Sequence, residues 1–387
     1  MKKGWQTKTI GDVCEVIAGQ SPEGKFYNAE GKGMPFYQGT KDFGDKFIEA
    51  PTTWTTQTTK IAKEGDILMS VRAPVGPVNF ATDEICIGRG LAAIRSSDEL
   101  NRDFLFYQLW HLQPDIAGRE GAVFASINKA DIEALPLAFA PLPEQQRVVG
   151  LLDEAFEGLA TAKANAEKNL QNARALFESH LQSVFTQRGP GWVDSTIGAE
   201  IKFIDYRGKT PVKTASGVRL ITAKNVKMGY LQETPMEFIA AASYKGWMTR
   251  GIPQKCDVLF TTEAPLANVA QLDTDEKVAF AQRIIIMQPN AAKLDSTFLK
   301  YLLLSQPVQQ RIRTKGTGAT VQGIKASLLK LIEISFPKSL TTQEEIISKL
   351  DDLREETQRL ARLYERKHAA LAALKKSLLH QAFSGGL

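Results

Sequence analysis

Two long stretches of the chain place apolar residues on a repeating four-and-three spacing. The first, between residues 144 and 186, contains no proline and has its spaced positions at Leu152, Ala155, Leu159, Ala162, Ala166, Asn169, Ala173 and Leu176. The second has them at Ile346, Leu350, Leu353, Thr357, Leu360, Tyr364, Lys367, Leu371, Leu374 and Leu378. Heptads sustained over this length predict two long helices that form a coiled coil. The first seam is rich in alanine and the second in leucine and tyrosine, so pairing would set small side chains opposite large ones.

The rest of the chain has a different pattern. Short apolar runs such as "DILMSV", "VLFTT" and "RIIIMQP" alternate with Gly, Pro, Asn and Asp, which predicts short strands. Two segments, "NRDFLFYQLWHL" and "DSTFLKYLLLSQ", predict helices that begin at an Asn or Asp cap. These parts of the chain are therefore predicted to be α+β globular domains.

The same order of motifs occurs twice. Trp5 in "GWQTKTIGD" is matched by Trp192 in "GWVDSTIGA", and "GDILMSVRAPVG" from Gly65 is matched by "CDVLFTTEAPLA" from Cys256. Both copies end with a similar helix start, "PLPEQQRVVGLLDE" in the first and "SLTTQEEIISKLDD" in the second. A repeat of about 190 residues is much longer than a solenoid unit, so it indicates a tandem duplication of a domain followed by a helix.

We therefore divide the chain into residues 1–142, 143–188, 189–340 and 341–387, which alternate between domain and helix. If the second domain is compact, the second helix runs antiparallel to the first. The paired helices would then form a rigid spacer that holds the two domains apart. The alternative is that each helix packs separately on its own domain.

Composition limits the function without deciding it. The chain has 387 residues and a net charge of +5, an excess that is compatible with nucleic acid as a partner but does not require one. Its three cysteines form no CxxC pair, which gives no sign of a zinc site or a disulfide framework. The sequence has neither a run apolar enough to span a membrane nor the apolar core of a signal peptide, so we expect a cytoplasmic protein.

The common catalytic motifs are missing. We find no glycine-rich cofactor turn, no P-loop and no convincing cluster of carboxylates, and three of the four histidines fall on the predicted long helices. The sequence therefore predicts a chain that is not an enzyme and has no cofactor of its own.

The junction between domain and helix resembles a known family. The segment "LPLAFAPLPEQQRVVGLLDEAF", preceded by "GAVFASINKADI", is similar to the same junction in the specificity subunits of type I restriction-modification enzymes. The second junction resembles it as well, although Thr341 replaces Pro143 there. The resemblance implies two target-recognition domains that each read one half of a bipartite double-stranded DNA site. It also implies helices that hold two methyltransferase subunits, to which motor-nuclease (restriction) subunits are added. S-adenosylmethionine, ATP and magnesium would then belong to those partners.

DNA readout requires Lys and Arg for phosphates and side chains with paired hydrogen-bonding groups for bases. Aligning the copies places Lys41 opposite Asn225 and Thr40 opposite Lys224, and it suggests Arg283 as the counterpart of Arg89. The predicted DNA-binding residues are Thr40, Lys41, Arg72, Arg89, Lys209, Lys224, Asn225 and Arg283. Each can equally be a surface charge or a structural loop residue.

For the methyltransferase subunits we predict an exposed apolar groove on the helices. Its residues would be Phe156, Leu170, Phe177 and Leu363. The competing hypothesis is a non-enzymatic scaffold with a coiled coil and two peptide-binding domains, which explains the duplication but not the resemblance at the junctions. A fused restriction and methylation enzyme is disfavoured by the chain length and the missing motifs.

Overall fold

The computed structural model describes residues 4–116, 126–206, 208, 210–281, 283–318, 322–384 and 386. Two globular domains, residues 4–141 and 188–339, alternate with two long helices, Leu142–Gln187 and Leu340–Ser384. No helix in these ranges combines the length and the apolar character that a membrane span requires. This order of elements agrees with the predicted α+β duplication.

The first globular domain contains three sheets in the part of the chain that is described. The antiparallel four-stranded sheet has the spatial order Cys14–Ala18, Leu91–Ser96, Ile67–Ser70 and Val78–Phe80. The five-stranded sheet has the order Tyr27–Asn28, Trp54–Thr55, Met34–Tyr37, Ile85–Ile87 and Ile61–Ala62. Gln6–Thr9 pairs with Pro136–Phe139. The helices are Ile10–Val13, Arg102–Ile116 and Lys129–Glu133, and short 3-10 turns cover Gly24–Phe26 and Thr40–Asp42.

The second globular domain repeats this architecture. One four-stranded sheet has the order Ile201–Asp205, Ile284–Pro289, Val258–Thr261 and Val269–Gln271. The other has the order Lys213–Thr214, Glu237–Ile239, Val218–Ile221 and Val278–Phe280. Trp192–Thr196 pairs with Glu333–Pro337. The helices are Ile197–Glu200, Tyr244–Trp247, Ser296–Leu304, Gln306–Lys315 and Ala326–Lys330, with a 3-10 turn at Ala241–Ser243.

The continuous apolar runs are strands covered on both faces. In "DILMSV", Ile67 and Met69 belong to one hydrophobic core, whereas Leu68 between them belongs to another. In the second copy, Val258 and Leu259 divide between two cores in the same way. A strand buried on both sides needs no polar alternation, which is why these runs are apolar throughout.

A buried glutamine joins the first long helix to the first domain. The Gln145 side chain is fully buried and accepts a hydrogen bond from the backbone N–H of Asn101 at 2.7 Å. Its amide nitrogen donates to the carbonyls of Glu99 at 3.0 Å and Ala140 at 2.7 Å. One side chain thus satisfies three backbone groups where the helix leaves the domain.

Gln343 makes the same connection for the second long helix. Its side-chain oxygen accepts from the N–H of Asp295 at 2.8 Å. Its amide nitrogen donates to the carbonyls of Lys293 at 2.8 Å and Pro337 at 2.7 Å. We call each of these arrangements a glutamine socket.

A tyrosine from each domain also contacts the long helix that follows it. The hydroxyl of Tyr107 donates to Asp153, and that of Tyr301 donates to Asp351. Burial, followed by the hydrogen bond to the carboxylate, raises the pKa of both tyrosines, which keeps the hydroxyls protonated as donors. Each domain is therefore fixed to the start of its own helix at two points.

By their contacts, the residues form two compact units. One combines residues 1–167 with residues 365–387, and the other contains residues 168–364. Both borders lie inside the long helices, so they differ from the four predicted segments. Each unit holds one globular domain, the start of its own long helix and the end of the other one.

Contacts within the first unit show that the two helices pair in opposite directions. The Phe156 ring lies 5.3 Å from Lys375 Nζ, and Glu167 Oε1 lies 3.2 Å from His368 Nε2. Residue numbers therefore fall along the second helix as they rise along the first. The alternative in which each helix packs only on its own domain is wrong.

The predicted heptad seam holds for only part of each helix. In the first helix Leu152, Ala166 and Ala173 are buried, but Asn169 is exposed and Leu176 is 52% exposed. At the turns of Asn169 and Leu176, the inward-facing position is the next residue in the sequence. The second helix shows the same one-residue shift beyond Tyr364. The cause is that an α-helix has 3.6 residues per turn, so a 3.5-residue pattern drifts around a long helix.

Candidate nucleic-acid interface

Three of the predicted DNA-binding residues line one cleft on the first globular domain. Thr40, Arg72 and Arg89 meet there from three different loops. The cleft has a volume of about 240 Å³, and the rest of its lining is Gln38, Gly39, Ser70, Ala73 and Gly90. We call it the arginine cleft.

Sheet topology explains why these loops meet. Met34–Tyr37 and Ile85–Ile87 are parallel neighbours in the five-stranded sheet, so their carboxyl ends lie at the same edge. Thr40 follows the first of these strands and Arg89 follows the second. Arg72 reaches the same place from the end of a strand in the four-stranded sheet.

Close backbone packing fixes the loop that carries Arg89. A Cβ atom at Gly90 would lie 2.1 Å from the carbonyl oxygen of Gln38, so a larger residue would push the two loops apart. On its other side, the N–H of Arg89 donates to Ser21 Oγ at 3.1 Å. The backbone is therefore held in place while the Arg89 side chain is exposed.

The charge of the arginine cleft is positive. Its lining carries two guanidinium groups together with hydroxyl and amide groups, and it includes no carboxylate. Lys41 is exposed beside it, with its Nζ atom 3.4 Å from Thr52 Oγ1. Within the described ranges, no three His, Cys, Asp or Glu side chains are grouped to hold a metal ion. Such a cleft can bind an anion or the acceptor atoms of a base.

The corresponding surface of the second domain contains an ion pair. Glu263 follows the strand Val258–Thr261 as Arg72 follows its own strand, and its Oε1 atom lies 3.1 Å from Nε of Arg283. Both side chains are about half exposed. Lys209, which was also predicted to bind DNA in this domain, lies outside the described residues.

The predicted match between Arg89 and Arg283 is wrong by one residue. Arg283 directly precedes the strand Ile284–Pro289, and in the first domain the residue in that place is Gly90. The residue that corresponds to Arg89 is Gln282, which lies outside the described part of the chain.

Asn225 is a structural residue, so the prediction that it binds DNA is wrong. It is only 1% exposed. Its side-chain oxygen accepts from the N–H and the hydroxyl of Thr222 at 3.0 and 2.9 Å. Its amide nitrogen donates to the carbonyls of Gln232 at 3.0 Å and Pro235 at 2.9 Å. These bonds use the polar atoms of the side chain to hold a loop together.

The predicted pairing around Asn225 also shifts by one residue. The carbonyl of Asp42 accepts a hydrogen bond at 2.8 Å from the N–H of the residue seven positions later in the sequence. The carbonyl of Asn225 also accepts a hydrogen bond at 2.8 Å from the N–H of the residue seven positions later. Asp42 is thus the counterpart of Asn225, and Lys41 the counterpart of Lys224. Thr40 is therefore not opposite Lys224. Both lysines are exposed.

Two of the predicted partner-binding residues pack inside their own units. Phe156 lies edge-on to Tyr107, with 5.4 Å between the ring centres, and Phe177 lies 6.2 Å from Tyr301. Both rings are half-buried, and Phe177 lines a cleft of about 470 Å³ together with Leu181, Tyr301 and Leu304. The shift of the helical seam turns Phe177 toward Tyr301.

The other two residues differ from each other. Leu170 is half-buried on the inward side of the first helix, whereas Leu363 is 50% exposed. Leu176 and Leu374 are exposed to a similar degree, at 52% and 47%. The exposed apolar side chains of the long helices therefore include Leu363 and two leucines that the sequence had placed in the seam.

Sequence reasoning missed two residues of these sites. Gln38 directly precedes the Gly39 and Thr40 pair in "PFYQGTKDF", and its amide can both donate and accept hydrogen bonds. Glu263 is the other residue, and its position opposite Arg72 in the aligned repeats is the signal that could have identified it.

Family comparison agrees with this duplicated architecture. The family of type I restriction modification DNA specificity domains matches residues 2–170 and 208–365. The chain belongs to this family. Within it, the putative type I restriction enzyme MjaX specificity subunit of Methanocaldococcus jannaschii is 38% identical over 174 residues. That alignment covers 44% of this chain but only 40% of the relative. The MjaVIII specificity subunit of the same organism is 21% identical over 98% of this chain and 92% of its own length.

Solved structures share the fold of this specificity-family chain. A chain of a type I R-M system, from work on its complex assembly and conformational transition, has a TM-score of 0.81 at 18% identity. The alignment covers 100% of this chain and 99% of that one. The HsdS subunit from Thermoanaerobacter tengcongensis has a TM-score of 0.66 at 18% identity, covering 100% and 98% of the two chains.

Proposed function

We propose that the chain is the DNA-specificity subunit of a type I restriction-modification complex and that each globular domain reads one half of a bipartite double-stranded DNA site. The observation that carries the proposal is the repeated domain with different exposed groups at the same position. The first copy presents Arg72 where the second presents Glu263. Two domains with different exposed groups would make different contacts with the two halves of a DNA site.

The paired helices would set the spacing between the two halves and bind two methyltransferase subunits. Leu176, Leu363 and Leu374 support this role, because exposed leucines on a long helix are suited to covering by a partner. Restriction subunits would join through that core. Catalysis, with its S-adenosylmethionine, ATP and magnesium, would reside in these partners, and the complex would act in the cytoplasm.

The proposal is tested by the methylation pattern of a modification-free bacterial host. The chain is expressed with its cognate methyltransferase, and all methylated sites are mapped. We expect one new motif made of two short, unlike halves separated by unspecified bases. Replacing residues 1–140 with the equivalent domain of another specificity subunit should change one half only. A continuous motif, or a change in both halves after the exchange, would contradict the proposal.

Methyltransferase binding is tested on the helix surface. Leu363→Glu should weaken co-purification of the methyltransferase, since it places a charge in a surface that the partner would bury. Ser348→Glu, which makes the same charge change at an exposed polar position on the same helix, is the matched control. Equal recovery of the methyltransferase with both variants would exclude this surface.

A further inference from the structure

The two globular domains differ in charge at one structurally equivalent position. Arg72 and Glu263 each lie two residues beyond the end of a matching strand, Ile67–Ser70 or Val258–Thr261. Each forms an isolated antiparallel bridge, with Ser126 in the first domain and Gly323 in the second. The backbone around the two positions is therefore alike, whereas the side chains have opposite charges.

The groups around the arginine cleft suit a phosphate. Two guanidinium groups, which bind phosphate oxygens with paired hydrogen bonds, line it together with the hydroxyl of Thr40. The lining has no carboxylate that would repel an anion. Gly90 permits the close loop approach that holds Arg89 at the edge of the cleft.

The second domain opposes an anion at the same place. Glu263 carries a negative charge, and its carboxylate lies 3.1 Å from Arg283. This contact neutralises Arg283, which lies in the corresponding loop at the position of Gly90. A phosphate would have to displace Glu263 from Arg283 and overcome its repulsion.

We propose that the first domain holds the DNA backbone through a phosphate clamp formed by Arg72 and Arg89, and that in the second domain Glu263 keeps Arg283 from binding a phosphate at the equivalent place. This inference rests on the proposed DNA-binding function and assigns different roles to this one position in the two domains.

Salt dependence measures these contacts directly, because each neutralised phosphate contributes about 0.9 to the slope of log affinity against log salt. The full chain, bound to its methyltransferase, is titrated with a 40-base-pair duplex of random sequence between about 50 and 200 mM salt. Arg72→Ala and Arg89→Ala should each make the slope shallower by about 0.9, which is about a 3.5-fold change across that range. Their methylated motif should stay the same.

Glu263→Gln tests the other half of the proposal. It releases Arg283 without changing the size of the side chain, so the slope should become steeper by about 0.9. Glu276→Gln, an exposed position in the same domain, makes the same charge change and is the control. An equal effect of Glu263→Gln and Glu276→Gln would reduce the result to overall charge and overturn the assignment.

The outcomes separate the two proposals. Wild-type complex that binds DNA, with slopes unchanged in Arg72→Ala and Arg89→Ala, overturns the clamp alone. A changed methylation motif in these variants also overturns it, since the arginines would then read bases. No binding of the wild-type complex to duplex DNA overturns both the clamp and the proposed function.

Discussion

The ring of Phe383 lies edge-on to the ring of Phe104, with 5.4 Å between their centres. Phe383 is close to the end of the second long helix, and Phe104 belongs to the core of the first globular domain. The same relationship holds between Phe185, near the end of the first helix, and Phe298 of the second domain, also at 5.4 Å. The end of the second helix thus completes the core of the first domain, and the end of the first helix completes the core of the second domain.

Removing this ring should destabilise the fold. We expect Phe383→Ala to lower the free energy of unfolding by about 3 kcal/mol, because it leaves a space in an aromatic cluster. Denaturant unfolding followed by circular dichroism gives the value. Leu374→Ala on the same helix, at a side chain that is 47% exposed, should change stability by less than about 0.5 kcal/mol. Similar losses in the two variants would show that the ring contact contributes little.

The glutamine sockets should depend on their donor atoms. Gln145→Glu keeps the size of the side chain and the acceptor for Asn101, but it removes the amide that donates to two carbonyls. We expect a loss of about 3 kcal/mol, since a buried carboxylate would face carbonyl oxygens. Thermal unfolding checks this against Gln146→Glu, which alters the exposed neighbour. The socket has no special role if both variants unfold at the wild-type temperature.

Lys300 should make stability rise with pH. Its side chain is 6% exposed, and burial lowers its pKa from 10.5 to about 8. Below pH 8 the amine is protonated in both the folded and the unfolded chain, so the cost of burying the charge is fully present. Between about 8 and 10.5 the folded chain releases the proton first, and that cost disappears.

Lys300→Met should therefore stabilise the protein most below pH 8. The expected gain is about 3 kcal/mol at pH 7, and it should shrink as the pH rises toward 10.5. Denaturant unfolding of variant and wild type at pH 7 and pH 10 measures the difference. Lys349→Met, at an exposed lysine, should show no such trend. If the increase in the free energy of unfolding is the same at both pH values, it comes from packing and not from the charge.

Two adjacent residues should separate DNA binding from stability. Lys224 is exposed, whereas Asn225 is buried in a loop network. Lys224→Ala should make the salt slope of DNA binding shallower by about 0.9 and leave the melting temperature unchanged. Asn225→Ala should lower the free energy of unfolding by about 2 kcal/mol, because it leaves buried backbone groups unpaired. A variant of Asn225 that melts like wild type but binds DNA poorly would restore its predicted role.

Local chemistry explains what the sequence could predict. The apolar runs at Ile67 and Ile284 form strands because β-branched and apolar residues fit a covered sheet. The predicted cap at Asp295 is confirmed, since its carboxylate accepts from the N–H groups of Thr297 and Phe298. The duplication was visible because its motifs keep their order.

Tertiary packing explains what the sequence could not predict. Asn225 has the chemistry of a base-reading residue, and only its burial among loop carbonyls shows otherwise. Phe177 seemed to lie outside the heptad seam, but the true helical period turns it inward toward Tyr301. The partnership of Glu263 with Arg283 depends on loops from distant parts of the sequence.

The two glutamine sockets use the same side chain and the same pattern of backbone groups at both domain borders. A globular domain that keeps its three socket groups would therefore fit either helix, whatever its exposed loops contain. A single genetic crossover near Gln145 would exchange the first domain, whereas exchange of the second domain needs one crossover near the end of the first helix and another near Gln343. One domain, with its exposed loops, would then be replaced while the other domain and both helices stay unchanged.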